Sequence, residues 1–181
     1  TGSMNQIKDD IIGGFNQYLT SLQDPTYGPV HCTLIKFDAN HTDIVCQGVP
    51  ATQVPFLSAA TYTPGASTPL IDAAYKTITA TEAVAAAHPE AKVLIVIQTD
   101  GEENASRQFT VQDLQDVIKG KTAAGWGFLF LGAGLDAFQY AGTWGLHAAQ
   151  TLSYDRGKSA QTFAAVAEAT TQYRRGAGAQ R

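Results

Sequence analysis

Three short polar segments carry the hydroxyls and carboxylates that a folded chain could gather into one site: Thr1-Gly2-Ser3, Gly65-Ala66-Ser67-Thr68 and Thr99-Asp100-Gly101-Glu102-Glu103-Asn104. Their donor atoms are oxygens, with no histidine or cysteine among them. Oxygen donors suit a hard divalent cation, Mg²⁺ first, with Mn²⁺ or Ca²⁺ as substitutes. Mg²⁺ takes about six oxygens near 2.0–2.1 Å and usually keeps several waters. One or two carboxylates plus neutral hydroxyls leave such an ion incompletely neutralised, so it still attracts an anion. The carboxylate of an Asp or Glu on a partner protein can be that anion. On this reading Thr1, Ser3, Thr68 and Asp100 are the metal ligands, and Gly65, Ser67, Gly101, Glu102, Glu103 and Asn104 form the rim that meets the partner. The first segment has a second reading. Gly-Ser-Met is a common vector remnant ahead of an initiator methionine, and Met4 is the chain's one methionine.

The elements that must position these groups follow from periodicity. Ile7, Ile11, Phe15, Leu19 and Leu22 recur at close to four residues and predict a helix over 4–22. Two prolines and a glycine in DPTYGP break it. VHCTLIKF and TDIVCQGV, joined by DANH, then read as an antiparallel hairpin. A proline-bearing loop leads through YTPGASTP into the alanine-rich helix LIDAAYKTITATEAVAAA. KVLIVIQT is apolar throughout, as a strand buried on both faces must be. Thr110 is the predicted N-cap of VQDLQDVIKGKTAA, GFLFL is a further buried strand, and GAGLDAFQYAG opens a short helix. HAAQTLSY predicts a last strand and Ser159 to Arg174 a closing helix.

Alternating strands and helices predict an α/β fold: a doubly wound, mostly parallel sheet with one antiparallel edge hairpin and helices on both faces. Ligands of such sheets bind at the carboxyl ends of the strands. Asp100 follows a buried strand, Thr68 precedes a helix with Pro69 in its first turn, and Ser3 precedes the first helix, so all three fall at one sheet edge. The architecture ordinarily opens with a central strand, and none is found ahead of the first helix, so a strand is expected upstream of Thr1.

Composition bounds the rest. The 181 residues suit one domain, 1–175, with a glycine-rich tail at 176–181. Hydrophobic residues at 44% and charged residues at 15% are globular values. A formal charge of -4 with no basic run argues against nucleic-acid and anionic-membrane partners, which need clustered Lys and Arg. The longest apolar run, Val93 to Ile97, is far short of the roughly 20 residues that span a bilayer. Cys32 and Cys46 read as two free thiols of a reducing cytosol, with a disulfide as the alternative. The four histidines are scattered without ligand spacing.

Taken together, the three segments resemble the metal-ion-dependent adhesion site of the von Willebrand factor A domains, written Asp-x-Ser-x-Ser, then Thr, then Asp. Thr1-Gly2-Ser3-Met4 is similar to the latter part of the first motif, with threonine for its first serine; Gly65 to Leu70 is similar to the threonine loop and Thr99 to Glu102 to the aspartate loop. The resemblance implies a vWA/Rossmann-like fold and a non-enzymatic, Mg²⁺-dependent protein-binding module. It also implies partners such as MoxR-type AAA+ ATPases, chelatase-like assemblies or surface receptors. Alanine-rich helices without a disulfide framework lean towards a bacterial or phage origin. The family's leading aspartate would fall two residues before Thr1. With its strand order 3-2-1-4-5-6, a missing first strand would separate the hairpin from VLIVI by a slot of about 4.8 Å on each side.

Two other readings stay open. GFLFLGAGLDA is a strand, Gly132-x-Gly134-x-x-Ala137 and a helix, with Asp155 about 20 residues on, as a dinucleotide fingerprint requires. That suggests an NAD(P)-binding enzyme, although only one helix remains after Asp155 to build a second half. Alternatively the first motif is degenerate and the domain is a structural interaction module. No phosphate loop, nucleophile elbow or Cys-His pairing is present.

Overall fold

The computed structural model describes residues 7–38, 42–63, 67–99, 103–133, 137–147, 150–154 and 158–176. Five helices of seven residues or more and five strands alternate along them. Helix α1 is Lys8–Leu22, strands β1 and β2 are His31–Phe37 and Thr42–Pro50, and α2 is Leu70–Ala86. Strand β3 is Leu94–Thr99, α3 Val111–Ala123, β4 Gly127–Ala133, α4 Ala137–Thr143, β5 Thr151–Tyr154 and α5 Ser159–Arg174. The predicted α/β class stands. The helix expected over 4–22 is described from Ile7 onward, and the tail beyond Gly176 lies outside the described residues. Among the described residues no helix is long and apolar enough to cross a membrane.

The strands form two sheets. β1 and β2 make an antiparallel hairpin, while β3, β4 and β5 lie in parallel in that order. Parallel strands carry helices on both faces, so their side chains must be apolar in both directions, and this is what VLIVI and GFLFL supply. Ile95, Ile97, Phe128 and Phe130 pack with Leu70, Ile71 and Ile78 of α2, Leu114 and Ile118 of α3, and Ala141 and Trp144 at α4. Leu129 and Leu131, with Leu94 and Val96, pack on the opposite face with Ile7 just ahead of α1, Ile11 of α1 and Phe163 and Val166 of α5. Each fully buried side chain of this size contributes roughly 1.5–3 kcal/mol. A third cluster, Leu19, Ala51 and Val54 with Cys32, Leu34 and Cys46, seats the hairpin on α1.

Helices α1 and α5 run side by side in the same direction. Asp10 accepts a hydrogen bond from the Ser159 amide at 2.8 Å, Phe15 meets Phe163 edge to face, and Tyr18 Oη pairs with Thr170 Oγ1 at 3.0 Å. Close approach at this contact requires Gly14, because a Cβ there would sit 2.3 Å from Phe163 Cδ2. Cys32 and Cys46 are free thiols on the hairpin. The register sets Leu34 against Cys46 and Cys32 against Val49, so the two cysteines are not cross-strand partners.

β1 runs in the same direction as β3. His31, at the start of β1, stacks on His88 just past the end of α2, near the start of β3, and Phe37 at the other end joins the cluster that includes Leu70 and Ile97. Yet the two strands do not pair: the hairpin and the parallel sheet are separate among the described residues.

Candidate functional site

The carboxyl edge of the parallel sheet is where the predicted site should lie, and two of its three loops meet there. Thr68 is buried, with 2% of its surface exposed, and Pro69 and Leu70 lead from it into α2. Its amide donates to Asn104 Oδ1 at 2.9 Å, and the Asn104 amide donates back to the Thr68 carbonyl at 3.2 Å. Asn104 stands five residues past the end of β3 at Thr99, so this reciprocal pair ties the threonine loop to the loop leaving β3. The physical cause is an unmet need at the start of α2. The helix has no side-chain cap of its own at Pro69, and proline offers no amide.

The loop after β3 supplies that cap. Glu103 Oε2 accepts from the Ile71 amide at 2.9 Å, and Ser106 Oγ accepts from the Asp72 amide at 3.0 Å. Glu103 also closes its own loop: Oε1 accepts from the amides of Ala105 at 2.9 Å and Ser106 at 2.8 Å, and Oε2 accepts from Ser106 Oγ at 2.7 Å. Burial opposes the ionised Glu103 carboxyl, but the hydrogen bonds from Ile71, Ser106 and Ala105 outweigh it and hold its pKa below the ordinary 4.5. A carboxylate near a helix N-terminus is further favoured by the aligned peptide dipoles.

Asp72 answers in the opposite direction. From the first turn of α2 its Oδ1 accepts from the amides of Phe109 at 2.9 Å and Gln108 at 3.1 Å, and its Oδ2 from Arg107 at 2.9 Å and Gln108 at 3.2 Å. Burial again raises its pKa and the three amides lower it further than burial raises it, so the net position is below the ordinary 3.8. Tyr75 stacks on Phe109 at 3.8 Å between ring centroids and covers this clamp. The clamp ends at Thr110, whose side chain accepts from the Asp113 amide at 3.2 Å while Asp113 accepts from the Thr110 amide at 2.8 Å. This reciprocal capping box starts α3.

Of the ten site residues read from the sequence, Ser67, Thr68, Glu103 and Asn104 are described; Thr1, Ser3, Gly65, Asp100, Gly101 and Glu102 lie outside the described residues. Thr68 and Asn104 are brought together, with Ser67 half-buried beside them. Glu103 was expected on the partner-binding rim, but its oxygens turn inward: both accept hydrogen bonds within the chain. Asp72 and Ser106 were not among the expected residues. The signal for Asp72 was its place in the first turn of a helix whose N-terminus offers only threonine and proline. No group of three or more His, Cys, Asp or Glu able to hold a metal occurs among the described residues. The donor set that the sequence assigns to the site, hydroxyls and one carboxylate, is chemically suited to a hard cation.

In the parallel sheet β4 ends at Ala133 and α4 begins at Ala137, while β5 ends at Tyr154, next to Asp155 in sequence. A strand followed by a helix, the element order of a dinucleotide fingerprint, is therefore present. Gly134 and Asp155 lie outside the described residues. No protein-family model and no curated protein matches the sequence.

Proposed function

We propose that the chain is a von Willebrand factor A-like, non-enzymatic module that binds a divalent cation and, through it, an acidic side chain of a partner protein. The observation that carries this reading is the reciprocal Thr68–Asn104 pair, which joins the threonine loop to the segment that follows Asp100 at the carboxyl edge of a parallel sheet. Thr68, Thr1 and Ser3 supply hydroxyl oxygens to the ion, and Asp100 supplies the carboxylate. The bound ion lends positive charge to which a partner carboxylate can add. The clamp built by Glu103 and Asp72 fixes the two loops before the ion arrives, which lowers the ordering cost of binding. Free thiols at Cys32 and Cys46 suit a reducing cytosol. A MoxR-type AAA+ ATPase is the kind of partner the resemblance suggests.

The second reading, a dinucleotide-binding enzyme, draws support from the succession of β4 and α4 on either side of the Gly132-x-Gly134 sequence. Calorimetric titration separates the two. Mg²⁺ or Mn²⁺ heat that disappears in Asp100→Ala supports the adhesion reading. NAD(H) heat that disappears on substitution of Gly134 supports the enzyme instead. Neither signal leaves a structural interaction domain with a degenerate metal site.

A further inference from the structure

The sequence scatters its histidines, yet the fold brings two of them together. His31 opens β1, His88 follows the end of α2 by two residues, and their rings stand 6.2 Å apart between centroids with 16° between the planes. Both side chains are exposed, so an ion can reach them from solvent. The backbones that carry them are fixed. His31 is in register with Pro50 across the hairpin. The His88 amide donates to the Ala85 carbonyl at 2.9 Å, and the His88 carbonyl accepts from the Ala91 amide at 2.9 Å. Two imidazoles held side by side by separate elements are a pair of nitrogen donors. Nitrogen suits borderline transition cations, in contrast to the oxygens that Mg²⁺ prefers.

The end of α2 independently favours a cation here. The helix is 17 residues long, and its last turn holds no basic side chain. Its aligned peptide dipoles leave partial negative charge on the last carbonyls, which stabilises a positive charge within about one turn. His88 stands at that place. Glu90 adds a negative charge from the turn that the His88 carbonyl closes with Ala91. The next basic residue, Lys92, directs its ammonium to the carbonyls of Tyr173 at 3.1 Å and Arg174 at 3.3 Å, at the end of α5.

We propose that His31 and His88 bind one divalent cation of the class of Zn²⁺, Ni²⁺ and Cu²⁺, through one ring nitrogen each, and that the ion clips the start of β1 to the end of α2. With Zn–N bonds of about 2.0–2.1 Å at a tetrahedral angle, two chelating rings hold their centroids roughly 5 Å apart. The observed 6.2 Å must therefore close by about 1 Å, which rotation of two exposed side chains supplies. Glu90 does not join the pair in a group of three protein ligands. Water takes the remaining positions, and the site is an open, exchangeable one in contrast to a structural zinc with four protein ligands. It lies at the amino edge of the sheet, the end opposite the threonine and aspartate loops, and stands or falls independently of the cation site proposed there.

The test is calorimetric titration of the chain with Zn²⁺, with Mg²⁺ held in excess. The expected result is one-to-one uptake by the wild type and by Asp100→Ala, weakened at least roughly tenfold in His31→Ala and in His88→Ala. At about a hundredfold excess over its dissociation constant, Zn²⁺ should raise the wild-type Tm by roughly 5–10 °C and leave both histidine variants unmoved. The imidazole proton resonances provide a readout that needs no variant: those of His31 and His88 shift on Zn²⁺ addition ahead of those of His41 and His147. Absence of uptake by the wild type overturns the proposal. So does uptake that survives either histidine substitution, and so do His31 and His88 resonances that stay in place while Zn²⁺ binds. Uptake abolished in Asp100→Ala also overturns it, because the ion would then sit among the oxygens at the other edge.

Discussion

Replacing Asp72 by asparagine keeps the size of a buried side chain but turns one of its two oxygens into a donor pointed at donors. Asp72 is 8% exposed and accepts four contacts of 2.9–3.2 Å from the amides of Arg107, Gln108 and Phe109. Hydrogen bonds to a charged acceptor are worth about 1.5–3 kcal/mol each. Residues 107 and 108 are exposed, so water can satisfy part of what the variant loses. The lower end of the range applies, and Asp72→Asn is expected to cost about 3 kcal/mol at pH 7. For a domain of this length that is a fall in Tm of roughly 6–12 °C. Urea denaturation should show a lower midpoint with an unchanged slope. The pH dependence provides a second check. The folded-state pKa lies below the ordinary 3.8, so the stabilisation is fully present above that value and is lost as pH falls through the lower folded one. The gap between wild type and variant should therefore narrow below pH 3.8. A loss under about 0.5 kcal/mol at pH 7 would refute the clamp as described, and so would a gap that ignores acid.

Two further outcomes follow from the packing. Gly13→Ala, exposed on α1 with nothing within 4 Å of an added Cβ, should stabilise the fold by about 0.5–1 kcal/mol, whereas Gly14→Ala, driven against Phe163, should destabilise it by about 1–3 kcal/mol; thermal melts of the pair giving the same sign would contradict the α1–α5 contact. Burial pushes the Tyr18 phenol up to about 12 against the opposing hydrogen bond with Thr170, so its contribution to stability is complete below pH 10 and lost as pH rises through 12. Ultraviolet titration should show one tyrosine ionising late and Tyr18→Phe removing that step; an unchanged curve would rule the assignment out.

Much of the fold was legible because its elements carry strong local signals. The runs VLIVI and GFLFL could only be strands buried on both faces, and the four-residue spacing of Ile7, Ile11, Phe15 and Leu19 could only be one helix face. The N-cap at Thr110 was readable from the threonine ahead of an amphipathic run, though not the reciprocal bond from Asp113 that makes it a capping box. What could not be read was the exchange of caps between α2 and the loop after β3. Glu103 and Asp72 stand 31 residues apart, and each looks locally like a solvated or first-turn acid. Their partners are backbone amides, which carry no sequence signal at all. The same reason explains why Glu103 was assigned to a rim: the position of a loop is legible, and the direction of one side chain within it is not. The single sheet with an antiparallel edge hairpin that the sequence predicts is, among the described residues, two separate sheets, because which strand edges pair is set by long-range packing that no local pattern encodes.

The central claim, that Thr68 and Asp100 share one cation, is tested most directly by titrating Mn²⁺ into the wild-type chain, Thr68→Ala and Asp100→Ala and following the paramagnetic resonance signal of the free ion. The predicted result is saturable, one-to-one removal of free Mn²⁺ by the wild type, weaker removal by Thr68→Ala, and none by Asp100→Ala. Superimposable titrations for all three proteins, with or without binding, would contradict it.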